Sequence, residues 1–216
     1  FSEGDYPVAN TTFNQYLEKF ENGIFKIDAA YYNAISCVKV GDTTNAVLMY
    51  SKLIGASNAE YQQSALSFLA RKYYAEDDYA NSNIYYQTLE KVASNNSLKR
   101  EVVIRLMYGN ERLKTGLAYN YAQQVIKLDK TDDWLMSKAK IIIARDEFSA
   151  GNYAKSKTTF EKVVELSDYD EGAEAKYYLA YLTYLDDSLA LSEKMIFELA
   201  ESYTSDYFIA KAFILL

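Results

Sequence analysis

The sequence predicts an all-α protein, an α-solenoid of antiparallel helix pairs with about twelve helices. Helix formers run almost without interruption: among 216 residues Pro7 is the single proline, and the eight glycines stand apart from one another. Where aromatic and β-branched residues cluster, they recur at three and four positions rather than two, the period of a helix face. Small residues return on one beat. Ala9, Ala46, Ser82, Ala118, Ser156 and Ser192 are separated by 37, 36, 36, 38 and 36 residues.

Other columns keep the same beat. Four positions after these anchors stand Phe13, Tyr50, Tyr86, Ala122, Phe160 and Ile196. Twelve before them lie Ala34, Ala70, Leu106, Ala144 and Ala180, and seventeen before them Ala29, Ala65, Glu101, Ala139 and Ala175, with Ala210 continuing that column. A small side chain at each crossing lets two helix backbones approach closely, and a large one a turn later fills the gap that the crossing leaves. Residues 139–166 show the unit most clearly. One helix carries Ile142, Ile143 and Phe148, Gly151 supplies a left-handed stop, and Asn152 is expected to cap a second helix with its side-chain oxygen. That second helix sets Tyr153, Ser156, Phe160, Val163 and Val164 along one stripe.

In order, the chain opens on a lone second helix over 6–20, introduced by Gly4-Asp5 and broken at Asn22-Gly23. Helix pairs follow over 24–40 with 43–54, and over 58–75 with 78–93. The third, 97–114 with 117–128, is the odd one, because Glu101 and Leu106 fill its small columns and Gly109 sits inside its first helix. The fourth runs from a cap at Thr131 or Asp132 to Leu166, the fifth covers 171–185 with 188–203, and a last first-type helix starts near Ser205. One repeat domain over 1–216 is expected, divided as 1–23, 24–56, 57–95, 96–130, 131–168, 169–204 and 205–216, with no composition shift to mark a second domain. Both ends read as cut: residues 1–6 look like the tail of a helix hairpin, and 213–216 is an apolar run without a cap.

Composition excludes several classes of function. The net charge is −7 with no histidine, which opposes a nucleic-acid partner held through phosphates. No apolar run reaches the roughly twenty residues of a membrane span. Cys37 is the single cysteine, a small hydrophobe on a helix rather than half of a disulfide or a metal ligand. The glycines build no phosphate loop, and no nucleophile has a base beside it, so no catalytic residue, cofactor or metal site is expected. Asp168-Tyr169-Asp170-Glu171-Gly172 lacks the remaining ligands of a calcium loop and reads as helix capping. Asp77-Asp78 and Asp186-Asp187 read as acids at helix N-termini, where the dipole favours them.

Gly151 to Phe160 (Gly-Asn-Tyr-x-x-Ser-x-x-x-Phe), Gly4 to Phe13 (Gly-Asp-Tyr-x-x-Ala-x-x-x-Phe) and the looser Gly41-Asp42…Ala46…Tyr50 resemble the turn and second helix of tetratricopeptide repeats. Ala34, Ala70, Ala144 and Ala180 fall where that family places a small residue in its first helix. The resemblance spans essentially the whole chain. It departs in a repeat about two residues longer than the usual 34 and in lacking the closing proline. Sel1-like repeats, with multiple glycines, and pentatricopeptide repeats, expected to be basic, fit less well.

The resemblance implies a right-handed superhelix whose first helices line a concave groove. Carried over by position, that groove would present Tyr31, Ile35 and Val38, then Ser67, Arg71 and Tyr74, then Val103, Met107 and Asn110, then Ile141, Arg145 and Phe148, and finally Tyr177, Tyr181 and Tyr184. Tyr31, Arg71, Tyr74, Arg145, Phe148, Tyr177, Tyr181 and Tyr184 are the candidate partner contacts, with Arg71 and Arg145 as isolated positive points. The lysines with which some relatives grip a peptide's terminal carboxylate are missing, since Ser67 and Ile141 stand in their places. Many of the 22 tyrosines, among them Tyr50, Tyr86 and Tyr153, fall in the repeat's own large columns, where packing is the simpler account. The function expected is a non-catalytic scaffold that binds a protein or peptide, with a structural or self-assembly role as the alternative, self-association running through the apolar end at 213–216. The acidic, Tyr- and Asn-rich composition resembles that of bacterial envelope repeat proteins.

Overall fold

The computed structural model describes Phe1 and residues 4–216, so the expected hairpin tail over 1–6 lies partly outside the described residues. Among the described residues it is all helix: α1 (Tyr6–Lys19), α2 (Lys26–Val40), α3 (Thr43–Ser51), α4 (Ala59–Ala75), α5 (Tyr79–Val92), α6 (Asn96–Arg112), α7 (Leu117–Val125), α8 (Asp133–Ser149), α9 (Tyr153–Leu166), α10 (Asp170–Leu185), α11 (Leu189–Ser202) and α12 (Asp206–Phe213). Residues 1–109 and 110–216 form two compact units, the boundary falling within α6. Among the described residues, no helix is long and apolar enough to cross a membrane.

The beat seen in the small residues is set by the turns. Each turn from a first to a second helix contains one residue in the left-handed region: Gly4, Gly41, Asp77, Lys114, Gly151 and Asp187, at intervals of 37, 36, 37, 37 and 36 residues, with φ between 54° and 82°. Three of the six are glycine, which adopts that region without strain. The other three carry side chains, which hid half of the turns from a search for glycine. Asp187 and Asp77 are therefore turn residues, and Asp186 is the C-cap of α10, so three of the four acids expected at helix N-termini do other work.

Asp78 does cap, and it does so in the same way as Asp42. Each aspartate accepts from the backbone N–H three residues on, Asn45 or Asn81, at 3.1 Å, and from that asparagine's own side-chain amide at 2.7 Å. Asp5 and Asp132 cap α1 and α8 through Val8 and Leu135. Asn152 departs from expectation. Its side chain takes no part; the first turn of α9 closes on its carbonyl, which receives Lys155 N–H at 3.1 Å and Ser156 N–H at 2.9 Å. The helices α3 and α7 stop at Ser51 and Val125, three residues short of expectation, and the chain continues in turns.

Within unit 1, α2 and α3 pack as one pair and α4 and α5 as the next. Ala30, Ala34, Met49, Tyr50, Leu53, Ala65 and Leu69 form their shared core. Unit 2 repeats the arrangement with α8 and α9, then α10 and α11, and α12 closes over α10. Ala173, Ala180, Ile196, Leu199 and Ala212 meet there. The anchor and first-helix columns touch directly. The Ser82 hydroxyl donates to the Ala70 carbonyl at 2.9 Å, and Ser192 to Ala180 at 2.8 Å, both pairs twelve residues apart and buried.

Two glycines mark close approaches. A Cβ on Gly172, buried in α10, would lie 1.8 Å from the Ser167 carbonyl oxygen and 2.7 Å from the Tyr203 ring. One on Gly109 would lie 2.2 Å from Asn83 Oδ1. That second contact explains a glycine inside α6, which in sequence made the register of the third pair hard to place.

Candidate functional site

In unit 1, α4 and the N-terminal half of α6 stand on either side of a cleft of about 780 Å³. The spacing of α4 puts Ser64, Ser67, Phe68 and Arg71 on one face, at the three- and four-residue steps of a helix. Asn95, Ser97, Leu98 and Glu101 face them from the start of α6, with Gln63, Lys72 and Tyr50 at the margins. Ser67 is largely buried and lines the cleft wall. Asn95 accepts from Leu98 N–H at 2.8 Å, capping the start of α6. Gln63 accepts from the backbone N–H and the hydroxyl of Ser94, each at 2.9 Å, which ties the end of the α5–α6 loop to α4.

One end of the cleft is closed by a bidentate ion pair. Arg71 Nε donates to Glu101 Oε1 at 2.7 Å and Nη2 to Oε2 at 2.5 Å. The fully buried Tyr86 donates its hydroxyl to Glu101 at 3.2 Å. The Arg71 fork holds the Glu101 carboxyl below the usual carboxylate range, and burial raises the Tyr86 phenol above its ordinary value. Beside this pair the Arg105 guanidinium lies 4.3 Å from the centre of the Tyr74 ring.

In unit 2 the first-helix face is aromatic and acidic. Arg145 gives Nε and Nη2 to Glu174, both at 2.5 Å, and Nη1 to Glu111 at 2.7 Å. Lys138 pairs with the buried Glu171. Phe148 stands 5.9 Å from Tyr181 and 4.9 Å from Tyr178, ring centre to ring centre. Tyr181 is half-buried, and Tyr184 is exposed.

Of the eight candidate contacts, two are core residues. Tyr31 is 9% exposed and stacks on Tyr61 at 4.0 Å, and the Tyr61 hydroxyl is fixed by Asp28 at 2.8 Å. Tyr177 is 6% exposed beneath α12, where Lys211 Nζ lies 4.5 Å from its ring. The reason is neighbourhood: each ring fills the space between its own first helix and the next, and that helix covers it. The expectation that Arg71 and Arg145 are isolated positive points is also corrected, since both are neutralised by carboxylates of adjacent first helices. The sequence carries a signal for this pairing, an acid 29 or 30 residues downstream of each arginine. That offset is a little under one repeat, the distance from a first helix to its neighbour one turn back.

No family model and no curated protein sequence matches the chain. Solved structures do. YrrB, described as a TPR protein with an unusual peptide-binding site, superposes with a TM-score of 0.61 at 15% identity, covering 93% of this chain and 96% of that one. The apo form of the quorum sensor NprR from B. thuringiensis superposes with a TM-score of 0.53 at 12% identity, covering 99% of this chain and 65% of that one. Identities this low speak to the fold alone. Repeat length, turn geometry, buried small-residue columns and the match along nearly all of YrrB agree that this chain has the fold of a tetratricopeptide-repeat protein, an α-solenoid of antiparallel helix pairs.

Proposed function

We propose that the chain is a non-catalytic interaction scaffold, read as one repeat domain over 1–216, and that it takes a peptide in the cleft between α4 and α6. The observation that carries this reading is the cleft itself, about 780 Å³ and lined from both sides by first helices, with Ser67 on its wall. Phe68 and Leu98 supply an apolar floor, and Ser64, Ser97 and Asn95 supply hydrogen-bonding groups suited to a peptide main chain. Arg71 lines the cleft, Tyr74 follows it on α4, and Arg145, Phe148, Tyr181 and Tyr184 form a corresponding first-helix face in unit 2. The peptide-binding site credited to YrrB is in keeping with such a role.

The test begins with peptides selected from a random display library on the immobilised protein, followed by titration calorimetry on the best synthetic binder. Ser64→Trp, which fills the cleft from the α4 wall, should weaken that binder by roughly tenfold or more while the helical melt stays in place. Undiminished binding to the variant would move the site elsewhere.

A second reading, a structural role through self-association, is favoured by exposed apolar surface on both terminal helices. Ile214 is 82% exposed, and an apolar hollow of about 300 Å³ opens beside α1 between Phe13, Tyr16, Phe25 and Tyr32. Light scattering across a concentration series, on the chain and on Ile214→Glu, separates the two readings. A monomer at all concentrations leaves only the scaffold.

A further inference from the structure

Glu101 breaks the rule of its own column. The first helices α2, α4, α8 and α10 place Ala29, Ala65, Ala139 and Ala175 there, all buried, and a methyl group is all that the crossing needs. At 101 a carboxylate instead reaches across to α4, fills the Arg71 fork through two charge-assisted bonds and takes a third from Tyr86. Both members of the pair line the cleft. A carboxylate entering from a ligand would meet the Nε–Nη2 edge of Arg71 already occupied and a like charge beside it. An ammonium would meet Arg71. Lys72, at the margin, is paired with Glu76, and the rest of the lining is uncharged: the hydroxyls of Ser64, Ser67 and Ser97, the Asn95 amide, and the Phe68 and Leu98 side chains.

We infer that Glu101 is the specificity-determining residue of this cleft: it takes the seat that a ligand carboxylate would occupy on Arg71, and so restricts the cleft to an uncharged peptide segment bearing hydroxyl or amide side chains. The inference rests on the peptide-cleft reading above and deepens it. A bidentate guanidinium–carboxylate contact is among the stronger polar interactions, and intramolecular competition removes it at no cost in ligand concentration. Removing the competitor should therefore change which peptides bind, not merely how tightly.

Two variants test this. Glu101→Ala restores the residue found in the rest of the column, and Glu101→Gln keeps the shape without the charge. A library of random heptapeptides with blocked ends is panned on the wild type and on each variant. The wild type should select peptides depleted in Asp and Glu, whereas both variants should enrich them. A synthetic acidic peptide chosen on Glu101→Ala should bind it roughly tenfold more tightly than the wild type, and should lose that gain when Arg71→Gln is added. Acidic peptides selected by the wild type, or identical selections on all three proteins, would overturn the assignment. If none of the proteins selects any peptide, the cleft reading itself fails, and the role given to Glu101 fails with it. Selection of uncharged peptides without any change between proteins sinks the gate alone.

Discussion

Lys114 holds φ at 54°, in the turn position that Gly4, Gly41 and Gly151 fill in other repeats. A side chain in that region clashes with its own carbonyl, at a cost of about 1 kcal/mol. Lys114→Gly should therefore raise stability by about that amount, read as a higher urea midpoint; no gain would mean that the added freedom of the unfolded chain cancels the relief. The hydroxyl of Ser82 is a residue-scale joint of a different kind. Ser82→Ala removes one buried bond to the Ala70 carbonyl and should cost about 1 kcal/mol, because that carbonyl keeps its partner within α4. The Arg71–Glu101 pair adds a pH dependence. Glu101 titrates below its ordinary 4.5, so the unfolded chain binds its proton first as pH falls. The pair's stabilisation is complete above that ordinary value and is lost as pH drops through the lower folded value. Glu101→Gln should flatten this part of the acid limb in urea midpoints measured from about pH 3 to pH 7, and an unchanged limb would assign acid sensitivity to other carboxylates.

At the scale of elements, what was legible in the sequence was whatever recurs. The helix pairs, the buried alanines at 34, 70, 144 and 180, and the stops at Gly41 and Gly151 all follow from side-chain size and backbone freedom, which the residue type reveals directly. The turns at Asp77, Lys114 and Asp187 were not legible as left-handed, because there the neighbouring helices impose a conformation that the residue does not prefer. The site was less legible for a related reason. Whether a tyrosine such as Tyr31 or Tyr177 faces solvent depends on the next first helix, some 36 residues away, and whether Arg71 is free depends on Glu101. Position in a repeat names the face of a helix; it does not say what lies against that face. Element α10 makes the point through Gly172, which reads as an ordinary weak spot in a helix. Its Cα approaches the Ser167 carbonyl so closely that even a methyl group has no room. Gly172→Ala, stabilising in an isolated helix by about 1 kcal/mol, should here destabilise by more than that, since backbone must move to admit the methyl. A higher melting temperature for this variant would show that the loop before α10 yields easily.

At the scale of the molecule, each unit draws its core from its own helices, and within a unit each pair packs chiefly on the pairs next to it in sequence. Stability in such an array is close to a sum of local terms. A fault in one pair should therefore be felt in its own unit first. Ala144 is fully buried where α8 and α9 pack together, and Leu in its place overfills the crossing at a cost of about 1–3 kcal/mol. Hydrogen exchange on Ala144→Leu should show amide protection falling in α8 and α9, while α2 to α5 keep the protection they have in the unsubstituted chain. Equal loss in both units would mean that the chain unfolds as one block, and the description as a sum of neighbouring pairs would then have to give way to a single cooperative core. The same measurement bears on function. A scaffold whose pairs are separately stable can carry a ligand-selective substitution such as Glu101→Ala in unit 1 without disturbing the rest, and this is the condition under which a repeat array can change its partner by changing one pair.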